Sequence, residues 1–190
     1  MEVLNRGAAG VRLSVALTAA ATLFGAGALA QPSPRPVEDY RVKAALIYSL
    51  AKFVEWPAAA FADGASRFTV CVIGSDPFGP ALESATSGHT ISGRQIAIRR
   101  LMAYEPGCHI LFISDSEVRR VPIILDQLRG QSVLSIGDDR SFLDRGGMVA
   151  FYKSGEHIRF DVRAEAVDQA RLKVSARVMA VVNRAGGATP

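Results

Sequence analysis

The chain has 190 residues, of which 49% are hydrophobic, and its 22 lysines and arginines against 18 acidic residues give a formal net charge of +4. This length favours one domain with enough chain for a sizeable core. The mild charge, with arginines scattered among acids, excludes a nucleic-acid footprint and a polybasic membrane patch.

The first thirty residues have the features of a secretory signal. Arg6 and Arg12 precede an apolar run over 13–29, and Ala28-Leu29-Ala30 supplies the small-x-small pattern of a cleavage site. We therefore expect residues 1–30 to be removed after about Ala30 and the mature chain to be exported. A permanent membrane anchor is the alternative, which the glycines in the run and the cleavage-like site disfavour.

The next segments predict a leader and a long helix. Residues 31–39 contain three prolines and predict an extended leader. Apolar residues at helical spacing predict a helix over 42–57 that ends at Pro57, because proline restrains the residue before it. Its buried arc is expected to contain Val42, Ala45, Leu46, Ser49, Phe53 and Trp56, widened by Ile47, Leu50 and Val54.

Downstream, buried strands alternate with amphipathic helices. Strands are expected at 68–74, 91–99, 108–113 and 133–136, helices at 77–85 and 116–130, a β-hairpin at 148–162 and a last helix at 164–182. This order predicts an α/β fold with a mostly parallel sheet, helices on both faces, and a C-terminal β-hairpin plus helix. The single domain is expected to span 40–184, followed by a disordered tail at 185–190.

Two cysteines, Cys71 and Cys108, are present. In an exported protein, which lies outside the reducing cytosol, a disulfide between them is the first expectation. The alternative is two buried thiols that pack as small apolar side chains. A metal site fails on the number of ligands.

The sequence contains no convincing enzyme constellation. It has no nucleophile elbow, no phosphate-binding glycine loop and no pair of histidines at helical ligand spacing, so we expect no catalytic residues and no cofactor. Polar residues do follow the predicted strands, where open α/β sheets bind ligands. This candidate ligand edge comprises Ser75, Asp76, Ser114, Asp115 and Asp138.

A set of motifs resembles the YfiR family in order and spacing. They are Phe53-Val-Glu-Trp-Pro57, Cys71-Val-Ile-Gly-Ser-Asp-Pro-Phe-Gly79, Cys108-His-Ile-Leu-Phe-Ile-Ser114, Ile136-Gly-Asp138, Gly146-Gly-Met-Val-Ala-Phe151, Ile158-Arg-Phe-Asp-Val162 and Leu172-Lys-Val-Ser-Ala-Arg-Val-Met179. The resemblance extends from about residue 40 to 182.

This resemblance implies a non-catalytic periplasmic regulator. It would bind the periplasmic sensor domain of a YfiN-like inner-membrane diguanylate cyclase and repress cyclic di-GMP synthesis, and thereby biofilm formation. The resemblance also implies a YfiB-like outer-membrane lipoprotein as a second partner, and a homodimer. Because similar proteins also occur beside sensor kinases, a small-molecule-binding module that acts with a kinase or another membrane signalling protein is the alternative.

The resemblance also bears on the cysteines. Cys71 and Cys108 match one disulfide of the family. A second family pair is absent here, since the corresponding region reads Arg145-Gly-Gly-Met-Val-Ala-Phe-Tyr152. Redox sensing through that second pair is therefore not expected.

The last predicted helix offers a candidate partner-binding surface. Leu172 and Met179 lie seven residues apart on one line, beside Lys173 and Arg177. An apolar line with a charged rim is typical of a protein interface. The alternative is that these side chains cover the hairpin or another helix.

Overall fold

A computed structural model describes residues 35–175. Its helices are α1 (Arg35–Phe53), α2 (Ala81–Thr86), α3 (Val121–Gln127), α4 (Ser141–Asp144) and α5 (Ala164–Gln169). Its strands are β1 (Val54–Glu55), β2 (Phe68–Ile73), β3 (Thr90–Ile91), β4 (Arg94–Leu101), β5 (Ile110–Ile113), β6 (Leu134–Gly137), β7 (Val149–Ser154), β8 (His157–Val162) and β9 (Lys173–Val174). Short 3-10 turns occupy Ala58–Ala60 and Asp115–Glu117. The expected signal peptide and the expected disordered tail lie outside the described residues.

Seven strands form one sheet in the order β3-β4-β2-β5-β6-β7-β8. The inner strands from β4 to β7 run parallel, whereas β3 and β8 run antiparallel to their neighbours at the two edges. The α/β class is thus confirmed, and the sheet is mixed rather than purely parallel. Its β7–β8 edge is the predicted hairpin, with Phe151 opposite Phe160.

Apolar side chains cover both faces of the sheet, because successive residues of a strand point to opposite sides. One face carries Phe68, Val70, Val72, Ile110, Phe112, Leu134, Ile136, Val149 and Phe151, which pack with α1 and α2. The other face carries Cys71, Ile73, Leu111, Ile113 and Ala150, which pack with α3 and α4. The predicted placement of helices on both faces is confirmed.

Helix α1 differs from its prediction at both ends. It begins at Arg35, so residues 35–39 are helical rather than extended, and the fixed φ of Pro36 is compatible with a first helical turn. It ends at Phe53 rather than at Pro57, because Val54 and Glu55 leave the helix to pair antiparallel with Val174 and Lys173.

The predicted buried arc of α1 is only partly confirmed. The buried residues are Lys43, Ala44, Ile47, Leu50, Ala51 and, just beyond the helix, Val54. Ile47, Leu50 and Val54 are thus buried as expected, whereas Val42, 40% exposed, and Phe53, 37% exposed, face outward. Trp56 does reach the core, where its ring meets Phe68 and its Nε1 donates to the His109 carbonyl at 3.2 Å.

The predicted last helix is much shorter than expected. Helix α5 ends at Gln169, and Arg171 adopts a φ of 59° that reverses the chain. The chain then enters β9, which pairs with β1 in a separate two-stranded sheet. This pairing with a segment more than a hundred residues earlier overrides the local helical pattern.

Two predicted helix starts are also wrong. The Asp76 carboxylate accepts from the Phe78 backbone N–H at 2.8 Å, which forms a turn, and α2 begins only at Ala81. Helix α3 begins at Val121 rather than at residue 116, and the Ser116 hydroxyl accepts from the Ser75 backbone N–H.

Candidate functional site

The carboxyl ends of the central parallel strands bring the predicted edge residues together. Ser75 follows β2, while Ser114 and Ser116 follow β5. The Ser114 N–H donates to the Ile73 carbonyl at 3.1 Å, and the Ser75 N–H donates to the Ser116 Oγ at 2.9 Å. The two loops are therefore joined directly, as expected for neighbouring parallel strands.

Gly74 makes this close approach possible. Its φ is +90°, and a Cβ at this position would lie 2.4 Å from the Ser116 Oγ. Other residues rarely adopt this backbone conformation, and a side chain would also push the β5 loop away. The sharp turn after β2 thus depends on glycine.

Asp138, which follows β6, is the most buried acid of the edge. Its side chain is 3% exposed and forms an ion pair with Lys43 of α1. It also accepts a hydrogen bond from the Tyr40 hydroxyl, and Lys43 Nζ lies 4.2 Å from the centre of the Tyr40 ring. Burial, together with the Asp138 hydrogen bond, raises the pKa of Tyr40, which therefore stays protonated and donates. This Tyr40–Lys43–Asp138 cluster ties α1 to the sheet.

Asp115 lies near this cluster, and among residues 35–175 its side chain has no comparable partner. Partial desolvation, followed by repulsion from Asp138 and Asp139, raises its pKa. Because the residue is exposed, solvent screening keeps the energetic effect small. Asp139 accepts from the Ser141 backbone N–H at the start of α4, which is a structural role.

Asp76 is committed to an ion-pair network rather than to an open cleft. Its Oδ2 accepts from Arg100 Nε at 2.6 Å, and Arg100 also pairs with Glu83 of α2 at 2.6 Å. The Arg100 guanidinium holds the pKa of Glu83 below its ordinary range. The candidate ligand edge therefore consists mainly of polar groups that form ion pairs or hydrogen bonds within the protein.

The Cys71–Cys108 disulfide is present, as the sequence predicts. It joins β2 to a residue two positions before β5, with the two Cα atoms 5.8 Å apart and the cysteines 37 positions apart in sequence. Both residues are buried in the core on the α3 side of the sheet. By the chain-entropy model, closing a loop of this length contributes about 3–4 kcal/mol to stability.

His109 is a buried histidine that packs within the core. Its Nδ1 accepts from the Thr69 backbone N–H at 3.0 Å, and its ring stacks between Phe61 and Phe68 with centroid distances of 4.5 and 5.0 Å. Desolvation lowers its pKa, so the ring is neutral at pH 7.

The predicted partner-binding surface is only partly described. Leu172 is 1% exposed and belongs to the core, so it does not lie on an exposed line; the reversal at Arg171 turns it inward. Lys173 is exposed in β9. Arg177 and Met179 lie outside the described residues, and the role of Lys173 stays a prediction.

Sequence reasoning missed Tyr40 and Lys43. They lie three residues apart, so they share one side of α1. The available signal was that Lys43 lies between apolar residues of the predicted helix, since a buried lysine needs a carboxylate partner. The identity of that partner, 95 positions away, could not be read from local pattern.

Within residues 35–175, no group of three or more His, Cys, Asp or Glu side chains has an arrangement that would hold a metal ion. Across the same residues, no helix is long and apolar enough to cross a membrane.

Comparison with known proteins gives one result. A family model described as DUF4154, YfiR/HmsC-like, matches residues 40–182. No curated protein matches the chain.

Proposed function

The chain belongs to the YfiR/HmsC-like family, and we propose from this that it represses an inner-membrane diguanylate cyclase by binding the periplasmic sensor domain of that enzyme. The family suggests a periplasmic regulator of cyclic di-GMP signalling. The repression lowers cyclic di-GMP and biofilm formation. The single observation that carries the proposal is the family match, which extends over the sheet, α5 and β9.

The chemistry of the sheet edge supports a binding protein rather than an enzyme. Asp138 is neutralised by Lys43, and Asp76 is paired with Arg100. A general base or nucleophile needs an available group in a cleft. These two carboxylates are occupied, and Asp115 is exposed rather than enclosed in a cleft. The small-molecule-binding alternative would use the same edge and is less well supported for the same reason.

Affinity capture tests the proposal. The exported protein, carrying a C-terminal tag, is cross-linked in cells and purified from solubilised membranes, and retained proteins are identified by mass spectrometry. We expect an inner-membrane diguanylate cyclase, with an outer-membrane lipoprotein as a second candidate. Retention of a sensor kinase without a cyclase would favour the alternative, and retention of neither would refute the proposal.

The partner surface is proposed around exposed Lys173 and the following Arg177 and Met179. A variant with Arg177→Glu and Met179→Asp should fold, as judged by its circular dichroism, and should repress the cyclase less. Arg119→Glu, a charge reversal at an exposed position after β5, is the matched control. Equal repression by both variants would move the partner surface elsewhere.

A further inference from the structure

A cavity of about 550 Å³ lies between α3 and α5, beside the amino ends of β6 and β7. The candidate ligand edge lies at the other end of the sheet, where the parallel strands finish. Small-molecule sites in proteins usually have volumes of roughly 300–1,000 Å³. The cavity is therefore large enough for a small organic molecule.

The buried part of the cavity lining is mainly apolar. It includes Leu128, Met148, Ala166 and Ala170, each at most 9% exposed. The Met148 backbone N–H donates to the buried Ser135 Oγ at 3.2 Å, which holds the loop before β7 in place. A ligand with an apolar body would find a preformed surface here.

The exposed part of the lining is rich in arginine. Arg129, Arg145 and Arg163 line the cavity, and Arg171 donates to a backbone carbonyl of the lining at 2.7 Å. Among the described residues that line the cavity, Asp126 is the single acid. The lining thus carries three positive charges against one negative charge.

Two of these arginines have no acidic partner within residues 35–175. Arg145 donates to the Ser141 Oγ at 2.8 Å and to the Val118 carbonyl at 3.4 Å. Arg163 donates to the Leu143 carbonyl at 3.2 Å. Because Ser141 and Leu143 both belong to α4, the two guanidinium groups lie against the same short helix. Each guanidinium has five N–H donors, so both keep donors that these neutral acceptors do not use.

Such an arrangement favours an anion. Positive charges gathered around one cavity repel one another, and a bound anion would reduce that repulsion. Guanidinium groups recognise carboxylate and phosphate through paired hydrogen bonds. Asp144 and Glu165 line a second pocket with Arg163, but within the described part of the chain neither forms an ion pair with it.

We propose that this cavity binds a small organic anion, with a carboxylate or phosphate head group held by Arg145 and Arg163 and an apolar body placed against Met148, Ala166 and Ala170. The ligand would contact residues of α3 and α5 together and would stabilise the folded protein. This site goes beyond the proposed repression of a cyclase and does not depend on which protein partner is bound.

A titration of the full exported protein, isotopically labelled and followed by its amide chemical shifts, tests the proposal with four probes. Naphthoate and naphthyl phosphate combine an apolar body with an anionic head group. Naphthalenemethanol has the apolar body alone, and inorganic phosphate has the charge alone. We expect saturable shifts at Gly146, Met148 and Gln169 with a naphthyl anion below about 10 mM, and much weaker binding of the other two probes. The tighter of the two anions identifies the preferred head group.

Substitutions and salt show whether the arginines hold the head group. Arg145→Gln combined with Arg163→Gln should weaken binding of the naphthyl anion by about tenfold or more, because it removes hydrogen bonds to a charged group. Arg67→Gln removes one positive charge at an exposed position outside the lining and should leave the affinity unchanged. In the parent protein, raising sodium chloride from about 50 mM to about 500 mM should weaken the anion several-fold.

Several results would overturn the proposal. Absence of saturable shifts with both naphthyl anions up to about 10 mM would show that the cavity takes no such ligand. Equally tight binding of naphthalenemethanol would remove the role of charge, and equally tight binding of inorganic phosphate would remove the role of the apolar lining. Shifts confined to other regions, or equal losses in the double variant and in Arg67→Gln, would place the site elsewhere. If circular dichroism shows that the double variant does not fold, the salt dependence decides, and an unchanged affinity at high salt would contradict the proposal.

Discussion

The buried Asp138 carboxylate should depend on Lys43 to compensate its charge, and Lys43→Met tests this. The substitution keeps the length and the apolar stem of the side chain but leaves the Asp138 carboxylate, 3% exposed, without its cation. Removing one partner of a buried pair costs about 3–5 kcal/mol. That is a large share of the roughly 5–15 kcal/mol by which domains are stable.

The assay is thermal unfolding followed by circular dichroism, with the disulfide intact. Lys43→Met should lower the melting temperature by about 10 °C. The double variant Lys43→Met with Asp138→Leu should recover most of this loss, because two apolar side chains leave no unpaired charge. Lys52→Met, at an exposed position of the same helix, is the control and should stay within about 0.5 kcal/mol of the parent protein.

The outcome that would refute this reasoning is equally specific. If Lys43→Met destabilised the protein no more than Lys52→Met, the pair would not anchor α1 to the sheet. If the double variant were less stable than Lys43→Met, the loss would come from packing rather than from an unpaired carboxylate.

Three further predictions concern the core. Replacing Cys71 and Cys108 by alanine should cost about 3–4 kcal/mol in chemical denaturation, and a non-reduced digest of the parent should contain the bridged peptide; free thiols there would contradict the disulfide. Gly74→Ala should lower the free energy of unfolding by at least about 1 kcal/mol, whereas Gly64→Ala, where a Cβ meets nothing within 4 Å, should be neutral. Equal destabilisation by the two substitutions would contradict the role assigned to Gly74 in the turn after β2. Because desolvation lowers the pKa of His109, its stabilising contribution is present above about pH 6.5 and lost on acidification. The melting temperature of His109→Asn should therefore fall less below that pH than that of the parent protein. An equal fall in both proteins would show that other groups cause the loss of stability in acid.

The strands were predictable because their physical signal is local. The run 110–113 is apolar at every position and the run 68–73 at every position but Thr69, which is typical of a strand buried on both faces. The proximity of the loops that carry Ser75 and Ser114 followed from the same reasoning, since the ends of adjacent parallel strands meet at one edge.

The buried side of α1 was not predictable in the same way. The helix is apolar around most of its circumference, so spacing alone leaves several arcs equally acceptable. Which side of α1 faces the sheet depends on Lys43, which is buried because Asp138 compensates its charge. That contact exists only once the fold has brought residues far apart in sequence together.

The prediction of one long helix near the C-terminus was wrong for a related reason. The apolar spacing over 164–182 satisfies a single helix, yet the chain reverses at Arg171 and pairs β9 with β1. Strand pairing of two-residue segments carries almost no sequence signal. Leu172, which was predicted to lie on an exposed surface, is therefore buried in the core.

The central claim is that the protein represses a diguanylate cyclase through direct binding. The most direct measurement adds the purified, disulfide-bonded protein to a solubilised inner-membrane diguanylate cyclase that retains its periplasmic domain, and follows cyclic di-GMP formation. We predict a saturable fall in the rate, and no fall when the periplasmic domain of the cyclase is removed. An unchanged rate at saturating protein, or equal inhibition of the truncated cyclase, would contradict the account.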